Sequence, residues 1–297
     1  MPGTSRQDGS LNFQRGYLKT KMKGKQQHRQ QRSRERPTPT QFSKIIVPVS
    51  TDTYGGRLQE FYHVWQKFTK DKLILSWIQG YKIPFIKKPI QNRACCQKLP
   101  GLQKYSIIIC TLLKKGIITK CASAKDQFLS SFFLIPKTDN SYRFILNLKK
   151  LNEFVIAPHF KLDTYKSVKD LLFKNVYMAT LDLKDAYFMV PIYQSHEKYL
   201  RFRFQETIYE FNSLPMGLST APYMFTKLLK PIFNFFRQKG ILCLILILGS
   251  TKAEVQCNNN FMLDILQSLG FFIHIKKSQL KPSQSCQISV LFTTVLQ

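Results

Sequence analysis

The stretch Leu181-Asp-Leu-Lys-Asp-Ala-Tyr187 places two carboxylates, Asp182 and Asp185, three residues apart at the end of an apolar segment. The segment Val176–Leu181 is typical of a buried strand, which puts Asp182 at the strand end and Asp185 in the following turn. Nucleotidyl transfer needs such carboxylates, because hard oxygen ligands hold the Mg²⁺ that bridges substrate phosphates. A helix N-terminus with capping acids has the same spacing, and this stretch alone favours that interpretation over a metal site.

Strands surround this stretch on both sides. Phe132–Ile135 predicts a short buried strand, and a turn at Asp139-Asn140-Ser141 joins it to Tyr142–Leu148 in a hairpin. Tyr199–Phe204 alternates apolar with polar residues and predicts a half-buried strand that turns at Glu206-Thr207. Ile241–Leu248 predicts one buried strand, since it is far shorter than the ~20 residues that span a bilayer.

Helices are predicted by three- and four-residue apolar spacing from Arg57 onward. Ser219-Thr220 indicates the N-cap of another helix, which ends near Gly240. Phe261–Leu269 predicts a third helix, and Ile107–Ile118 fits either a helix or a strand pair. Helices and antiparallel hairpins alternate irregularly, so the predicted class is α+β rather than doubly wound.

Charge and composition exclude a wholly disordered chain. The 297 residues are 44% hydrophobic and include 24 Phe, which can fill a core. The formal charge of +28 predicts attraction to polyanions, with nucleic acid first and anionic membrane second. Residues 1–45 predict a disordered basic arm that either contacts nucleic-acid phosphates, carries a nuclear-import signal or only solubilises the chain.

Seven cysteines without metal-ligand spacing favour reduced thiols in an intracellular protein, located in the nucleus or the cytoplasm. The sequence contains no apolar stretch that predicts a signal peptide or a membrane span.

Four motifs in order resemble the reverse transcriptase domain of retroelements over about residues 55–290. The motifs are Ile135-Pro-Lys-(x)5-Arg143-(x)3-Asn147-(x)4-Asn152, Asp182-Leu-Lys-Asp-Ala-Tyr187, Leu214-Pro-Met-Gly-Leu-Ser-Thr-Ala-Pro222, and Leu269-Gly-Phe with Lys277-Ser-Gln-Leu280. Gly55-Gly-Arg-Leu58 resembles long-terminal-repeat and DIRS-type retrotransposons more than retroviruses. The resemblance implies a right-hand polymerase fold with fingers (about 105–175), palm (about 176–290) and a truncated or absent thumb.

The resemblance also implies an RNA-directed DNA polymerase and a role for each matched residue. Asp182 would ligate both catalytic Mg²⁺ (or Mn²⁺) ions, and its neighbour Leu183 would help to hold the triphosphate. Asp185 and Ala186 would lie beside the triphosphate and sugar, and Tyr187 would exclude a ribose 2′-hydroxyl. The implied partners are an RNA template, a DNA primer or RNA–DNA hybrid, and deoxynucleoside triphosphates.

Five further residues are implied to surround the nucleotide. Lys137 and Arg143 would contact its phosphates, Met216 and Gly217 would line the nucleotide and template pocket, and Lys277 could assist the leaving pyrophosphate. Taken singly, each of three residues is better explained structurally: Arg143 as an exposed strand residue, Tyr187 as a half-buried strand aromatic, and Lys277 as a solvated helix cap. Taken together in the family order, the motifs favour the family roles.

The family's Tyr-x-Asp-Asp segment is missing. The corresponding stretch, Lys239–Thr251, contains no acidic residue, and inserting Tyr-x-Asp-Asp-Ile after Ile245 restores the expected pattern. The second metal site is then incomplete, so we expect a degenerate domain with negligible polymerase turnover. We also expect the shortened hairpin to be poorly registered. The alternative function is non-catalytic binding of RNA or an RNA–DNA hybrid.

Overall fold

A computed structural model describes residues 54–91, 102–137, 140–160, 174–243 and 246–285. The predicted arm over residues 1–45, the tip residue Asp139 and the segment after Ser285 lie outside the described residues. The helices are α1 (Tyr62–Phe68), α2 (Lys72–Gln79), α3 (Leu102–Lys114), α4 (Lys149–Asn152), α5 (Gln194–Glu197), α6 (Ala221–Gln238) and α7 (Lys252–Ser268). The strands are β1 (Ile118–Cys121), β2 (Phe132–Pro136), β3 (Tyr142–Leu146), β4 (Tyr177–Thr180), β5 (Arg201–Phe204), β6 (Thr207–Phe211), β7 (Leu242–Cys243), β8 (Leu246–Gly249) and β9 (Gln279–Ser283).

Within the described residues, the strands form three sheets, ordered β7-β8-β4-β9, β1-β6-β5 and β2-β3, and the named strands pair antiparallel. Helices lie between the strands in the sequence without a repeating order. The α+β prediction is therefore confirmed. No helix in the described part of the chain is long and apolar enough to cross a membrane.

An aromatic cluster joins the two smaller sheets. Phe132 of β2 stacks on Phe144 of β3 at 5.1 Å between ring centroids. Phe202 of β5 lies 4.9 Å from Phe132 and 5.3 Å from Tyr209 of β6. Because aromatic rings bury large apolar areas, this cluster fixes the β2-β3 hairpin on the β1-β6-β5 sheet.

The helix predictions are largely confirmed. A 3₁₀ turn, Arg57–Phe61, leads into α1, and the ambiguous segment Ile107–Ile118 is helix α3 followed by the start of β1. Helix α6 begins after Thr220, as predicted. Its buried face carries Phe225, Leu228, Leu229, Ile232 and Phe236. Helix α7 ends before Gly270 as predicted but begins nine residues earlier than Phe261, at Lys252.

The structure corrects four strand predictions. Strand β2 is only half-buried, since Phe133 and Ile135 are exposed on its outer face. The β5-β6 turn is Gln205-Glu206, because Phe204 pairs with Thr207. Arg201, predicted on a polar face, is buried. Its guanidinium pairs with Glu210 of β6 at 2.7 Å.

The fourth correction concerns Ile241–Leu248, which is not a single strand. Strands β7 and β8 pair antiparallel, Leu242 with Leu248 and Cys243 with Ile247, and Leu244-Ile245 between them lies outside the described residues. The expectation of a poorly registered hairpin is wrong, because β8 also pairs residue by residue with β4 from Tyr177 to Thr180. This second pairing fixes the register of β8 independently of its turn.

Candidate functional site

Asp182 lies just beyond the end of β4, as the sequence predicts. Its backbone N–H donates to Ser278 Oγ at 2.9 Å, and its backbone carbonyl accepts from the His274 N–H at 2.7 Å. Strand β4 is held between β8 and β9. The main chain of Asp182 is therefore fixed on both sides, by the sheet before it and by the segment after α7.

The Asp182 carboxylate is buried, with 6% of the residue exposed. Its Oδ1 atom has no hydrogen-bond partner among the described residues. Burial raises the pKa of this carboxyl group, and the positive charges of His274 and Lys277 oppose the rise. Lys277, exposed in the short 3₁₀ turn Ile275–Lys277, therefore acts on Asp182 electrostatically.

The turn after Asp182 is held by an ion pair. Asp185 adopts a left-handed backbone with φ of 51°, and its Oδ2 atom lies 2.6 Å from Lys115 Nζ. Leu183 forms an isolated antiparallel bridge with Ile273. Ala186 then begins a 3₁₀ turn that ends at Met189. The predicted position of Asp185 in a turn is confirmed, whereas no sequence pattern predicts its contact with Lys115.

Tyr187 lies in this 3₁₀ turn rather than in a strand. Its ring packs edge-on against Phe225 of α6 at 5.1 Å between centroids. Burial raises the pKa of its hydroxyl group to about 12. The Tyr187 side chain is therefore held in place by packing and stays uncharged at neutral pH, beside the turn that carries Asp182.

Lys137 and Arg143 lie on the outer face of the β2-β3 hairpin. Arg143 is paired with Ile135, and the Lys137 N–H donates to the Ser141 carbonyl at 2.8 Å. Side chains alternate across a strand, so this face is opposite to Phe144, which packs into the core. Both cations are thus carried by one hairpin face, on a different sheet from Asp182.

The loop before α6 carries Met216, which is half-buried, and Gly217, which is exposed. Gly217 has a φ of +104°, and a Cβ atom there would lie 2.8 Å from the Leu146 carbonyl oxygen. Asn152 of α4 holds this loop with both ends of its amide. Its Nδ2 donates to the Gly217 carbonyl at 2.9 Å, and its Oδ1 accepts from the Ser219 N–H at 3.0 Å. The Asn152 contact was not predicted, although the residue belongs to the first quoted motif.

The residues next to Asp182 on the sheet are apolar. Thr180, at the end of β4, pairs with Leu246, and the side chains of Leu246, Ile247 and Leu248 are buried. Lys239–Thr251 contains no acidic residue. Asp264 lies on α7 with its side chain exposed.

Residues 135–288 match the family described as reverse transcriptase (RNA-dependent DNA polymerase), which is more than half of the chain. The chain belongs to the reverse transcriptase family. This reverse transcriptase domain is 24% identical over 210 residues to the transposon Tf2-3 and Tf2-4 polyproteins of Schizosaccharomyces pombe. Each match covers 69% of this chain but only 15% of the polyprotein. The predicted reverse transcriptase domain of a retrotransposon polyprotein is confirmed.

Solved structures support the same fold. A foamy viral protease-reverse transcriptase in complex with double-stranded DNA has a TM-score of 0.55 and 20% identity, covering 75% of this chain and 44% of that chain. The foamy viral enzyme in complex with an RNA/DNA hybrid has a TM-score of 0.52 and 19% identity, covering 75% and 34%.

Reverse transcriptases normally use divalent metal ions. Asp182 offers a hard, unpartnered oxygen, which suits such an ion. A pair of ions ~3.5–4 Å apart needs more carboxylates than one. Within the described ranges, no three His, Cys, Asp or Glu side chains are grouped so that they could hold a metal ion. The described residues of this reverse transcriptase domain therefore do not fit a two-metal centre.

Proposed function

We propose that this chain is a retrotransposon reverse transcriptase domain that binds RNA or an RNA–DNA hybrid and has negligible polymerase turnover. The observation that carries the proposal is the apolar surrounding of Asp182, where Leu246 of β8 faces the end of β4. With one carboxylate, two Mg²⁺ or Mn²⁺ ions cannot be held to stabilise the attacking and leaving oxygens together. We assign the β2-β3 hairpin to the fingers and the β7-β8-β4-β9 sheet with α6 and α7 to the palm.

Binding without chemistry is favoured by charge. The formal charge of +28 predicts strong attraction to phosphates. The exposed face of the β2-β3 hairpin carries Lys137 and Arg143, and an Arg fork suits a phosphate pair. None of these contacts requires the Asp182 carboxylate.

Primer extension on an RNA template tests the absence of turnover. Three purified chains are compared with deoxynucleoside triphosphates and Mg²⁺ or Mn²⁺: the natural chain, Asp182→Ala, and a chain with Tyr-x-Asp-Asp-Ile inserted after Ile245. We expect extension only from the third. Extension by the natural chain that disappears in Asp182→Ala would mean that another acid completes the metal site, and the proposal would be wrong.

Fluorescence anisotropy with a labelled RNA–DNA hybrid, measured over a series of salt concentrations, tests binding. We expect Asp182→Ala to bind like the natural chain. Lys137→Ala with Arg143→Ala should weaken binding and reduce the salt slope by about two, roughly one for each lost phosphate contact. Binding that is independent of salt would contradict a phosphate interface.

A further inference from the structure

We propose that the tetrapeptide Tyr54-Gly-Gly-Arg57 positions the turn that carries Asp182. The tetrapeptide lies more than 75 residues before the region that matches the family. This inference rests on the proposed function only in assigning the sheet that carries Asp182 to the palm. It requires no polymerase turnover.

Arg57 holds the segment that follows α7. Its Nε–H donates to the Gly270 carbonyl at 3.1 Å, and its guanidinium lies 4.1 Å from the ring centroid of Phe272. The indole N–H of Trp65, on α1, donates to the Leu269 carbonyl at 2.9 Å. The three contacts join the N-terminal helices to the segment Leu269–Phe272.

The segment that follows α7 is hydrogen-bonded to the turn that carries Asp182. The Phe272 carbonyl accepts from the Lys184 N–H at 2.8 Å, and the His274 N–H donates to the Asp182 carbonyl at 2.7 Å. Between these two bonds, Leu183 and Ile273 form the antiparallel bridge. A displacement of Phe272 therefore moves the backbone of Asp182.

Tyr54, the first residue of the tetrapeptide, contacts the same turn through its ring. Its ring lies 4.5 Å from the Phe272 ring, and the ammonium groups of Lys115 and Lys184 lie 4.6 Å and 5.3 Å from its centroid. Its side chain also raises the pKa of Lys184. The Tyr54 ring therefore packs against Lys184 of the turn and against Lys115, which follows α3 and pairs with Asp185 of the turn.

The two glycines allow this close approach. A Cβ atom on Gly55 would lie 1.8 Å from the Gly116 carbonyl oxygen, so only glycine fits there. Gly56 has a φ of 69°, and its N–H donates to the Phe188 carbonyl at 2.9 Å. The tetrapeptide thus supports the turn from Asp182 to Phe188, in the way that supporting residues fix the side chains of a site.

Amide hydrogen exchange in the full chain tests the inference. In Arg57→Ala we expect the Lys184 and His274 amides to exchange roughly tenfold to hundredfold faster, because a hydrogen bond from a charged group is lost. Arg57→Lys keeps the charge but not the planar fork, and should give a smaller increase at the same amides. Arg237→Ala removes an exposed arginine of α6 and should leave both amides unchanged.

A core variant separates positioning from general destabilisation. Phe202→Leu weakens the packing of the aromatic cluster on β5, and should accelerate amide exchange throughout the folded domain. If Arg57→Ala and Arg57→Lys leave the two amides at the natural rate, or accelerate them only as Phe202→Leu does at equal stability, the inference is wrong. Should Arg57→Ala not fold, Arg57→Lys alone decides. Primer extension by the natural chain would overturn the proposed function without affecting this result.

Discussion

Replacing Asp182 by Asn should stabilise this protein. The carboxylate is buried, and its Oδ1 atom has no hydrogen-bond partner among the described residues. Asn has nearly the same shape and carries no charge, so the substitution removes the desolvation cost of the carboxylate without opening a cavity. A natural residue that destabilises the fold is typical of a functional site, since activity is often kept at the expense of stability.

The size of the gain follows from the charge of the carboxylate, because an Asn side chain also places an unpartnered polar group at this position. A buried polar group without a hydrogen bond costs about 1–3 kcal/mol, and more when it is charged. Positive charge on the nearby Lys277, and on His274 when it is protonated, offsets part of this cost. We therefore expect Asp182→Asn to raise the free energy of unfolding by about 1–2 kcal/mol. For a domain of about 150–250 residues this corresponds to an increase of about 2–8 °C in Tm.

The gain should depend on pH. Because burial raises the folded-state pKa of Asp182, the ionised carboxyl group destabilises the fold at every pH above that pKa. As pH falls through the folded pKa to the unfolded value of about 3.9, protonation removes the penalty. The Tm difference between Asp182→Asn and the natural chain should therefore be full at pH 7–8 and disappear near pH 4.

Thermal unfolding followed by circular dichroism at pH 4–8 measures this difference. The control is Asp264→Asn, an exposed acid on α7, which should change stability by less than about 0.5 kcal/mol. An Asp182→Asn chain with an equal or lower Tm at pH 7, or a gain that persists at pH 4, would refute the reasoning. The first result would mean that nearby positive charge compensates the carboxylate fully, and the second would mean that the gain does not come from the carboxylate charge.

Two further substitutions test the packing around the site, each by chemical denaturation. Arg201→Ala should cost about 3 kcal/mol, because it removes a buried guanidinium and leaves the half-buried Glu210 carboxylate unpaired. Arg203→Ala, exposed on the same strand, should cost less than about 0.5 kcal/mol, and equal effects would contradict the ion pair. Gly217→Ala should lower the free energy of unfolding by about 2–3 kcal/mol, because its φ is positive and a Cβ atom would approach the Leu146 carbonyl oxygen. Gly240→Ala, where φ is also positive but a Cβ atom meets nothing within 4 Å, should cost only about 1 kcal/mol. A larger loss in Gly240→Ala than in Gly217→Ala would rule out the close contact.

The sequence predicted elements where one periodicity dominates. Helix α6 was found because Phe225, Leu228 and Ile232 form one apolar face. The first half of α7 was missed because it is polar, with Asn259 at a fully buried position that bonds the Leu280 carbonyl. A buried Asn has no pattern that distinguishes it from an exposed one. The run Ile241–Leu248 was merged into one strand, since a hairpin without turn residues has the same composition as a single strand.

The site was predictable only where a motif carries it. The positions of Asp182 at a strand end and Asp185 in a turn followed from local pattern. The Lys115–Asp185 ion pair, the Asn152 contact and the Tyr54–Phe272 packing join residues far apart in the sequence. Such contacts depend on the tertiary arrangement, which no local periodicity encodes. The family roles of Lys137, Arg143, Met216 and Lys277 stay predictions.

The Trp65–Leu269 hydrogen bond also constrains the order in which the chain can fold. Its two partners are separated by 204 residues. At about 5–20 residues per second, a ribosome needs about 10–40 s between the synthesis of Trp65 and the synthesis of Leu269, whose carbonyl accepts the hydrogen bond. During this interval the apolar faces of α1 and α2 have no native partner on the segment after α7, so nascent chains are exposed to chaperones and proteases. Contacts of such high sequence separation also slow spontaneous refolding, because the chain loses the entropy of loop closure before the packing contacts that stabilise the fold can form.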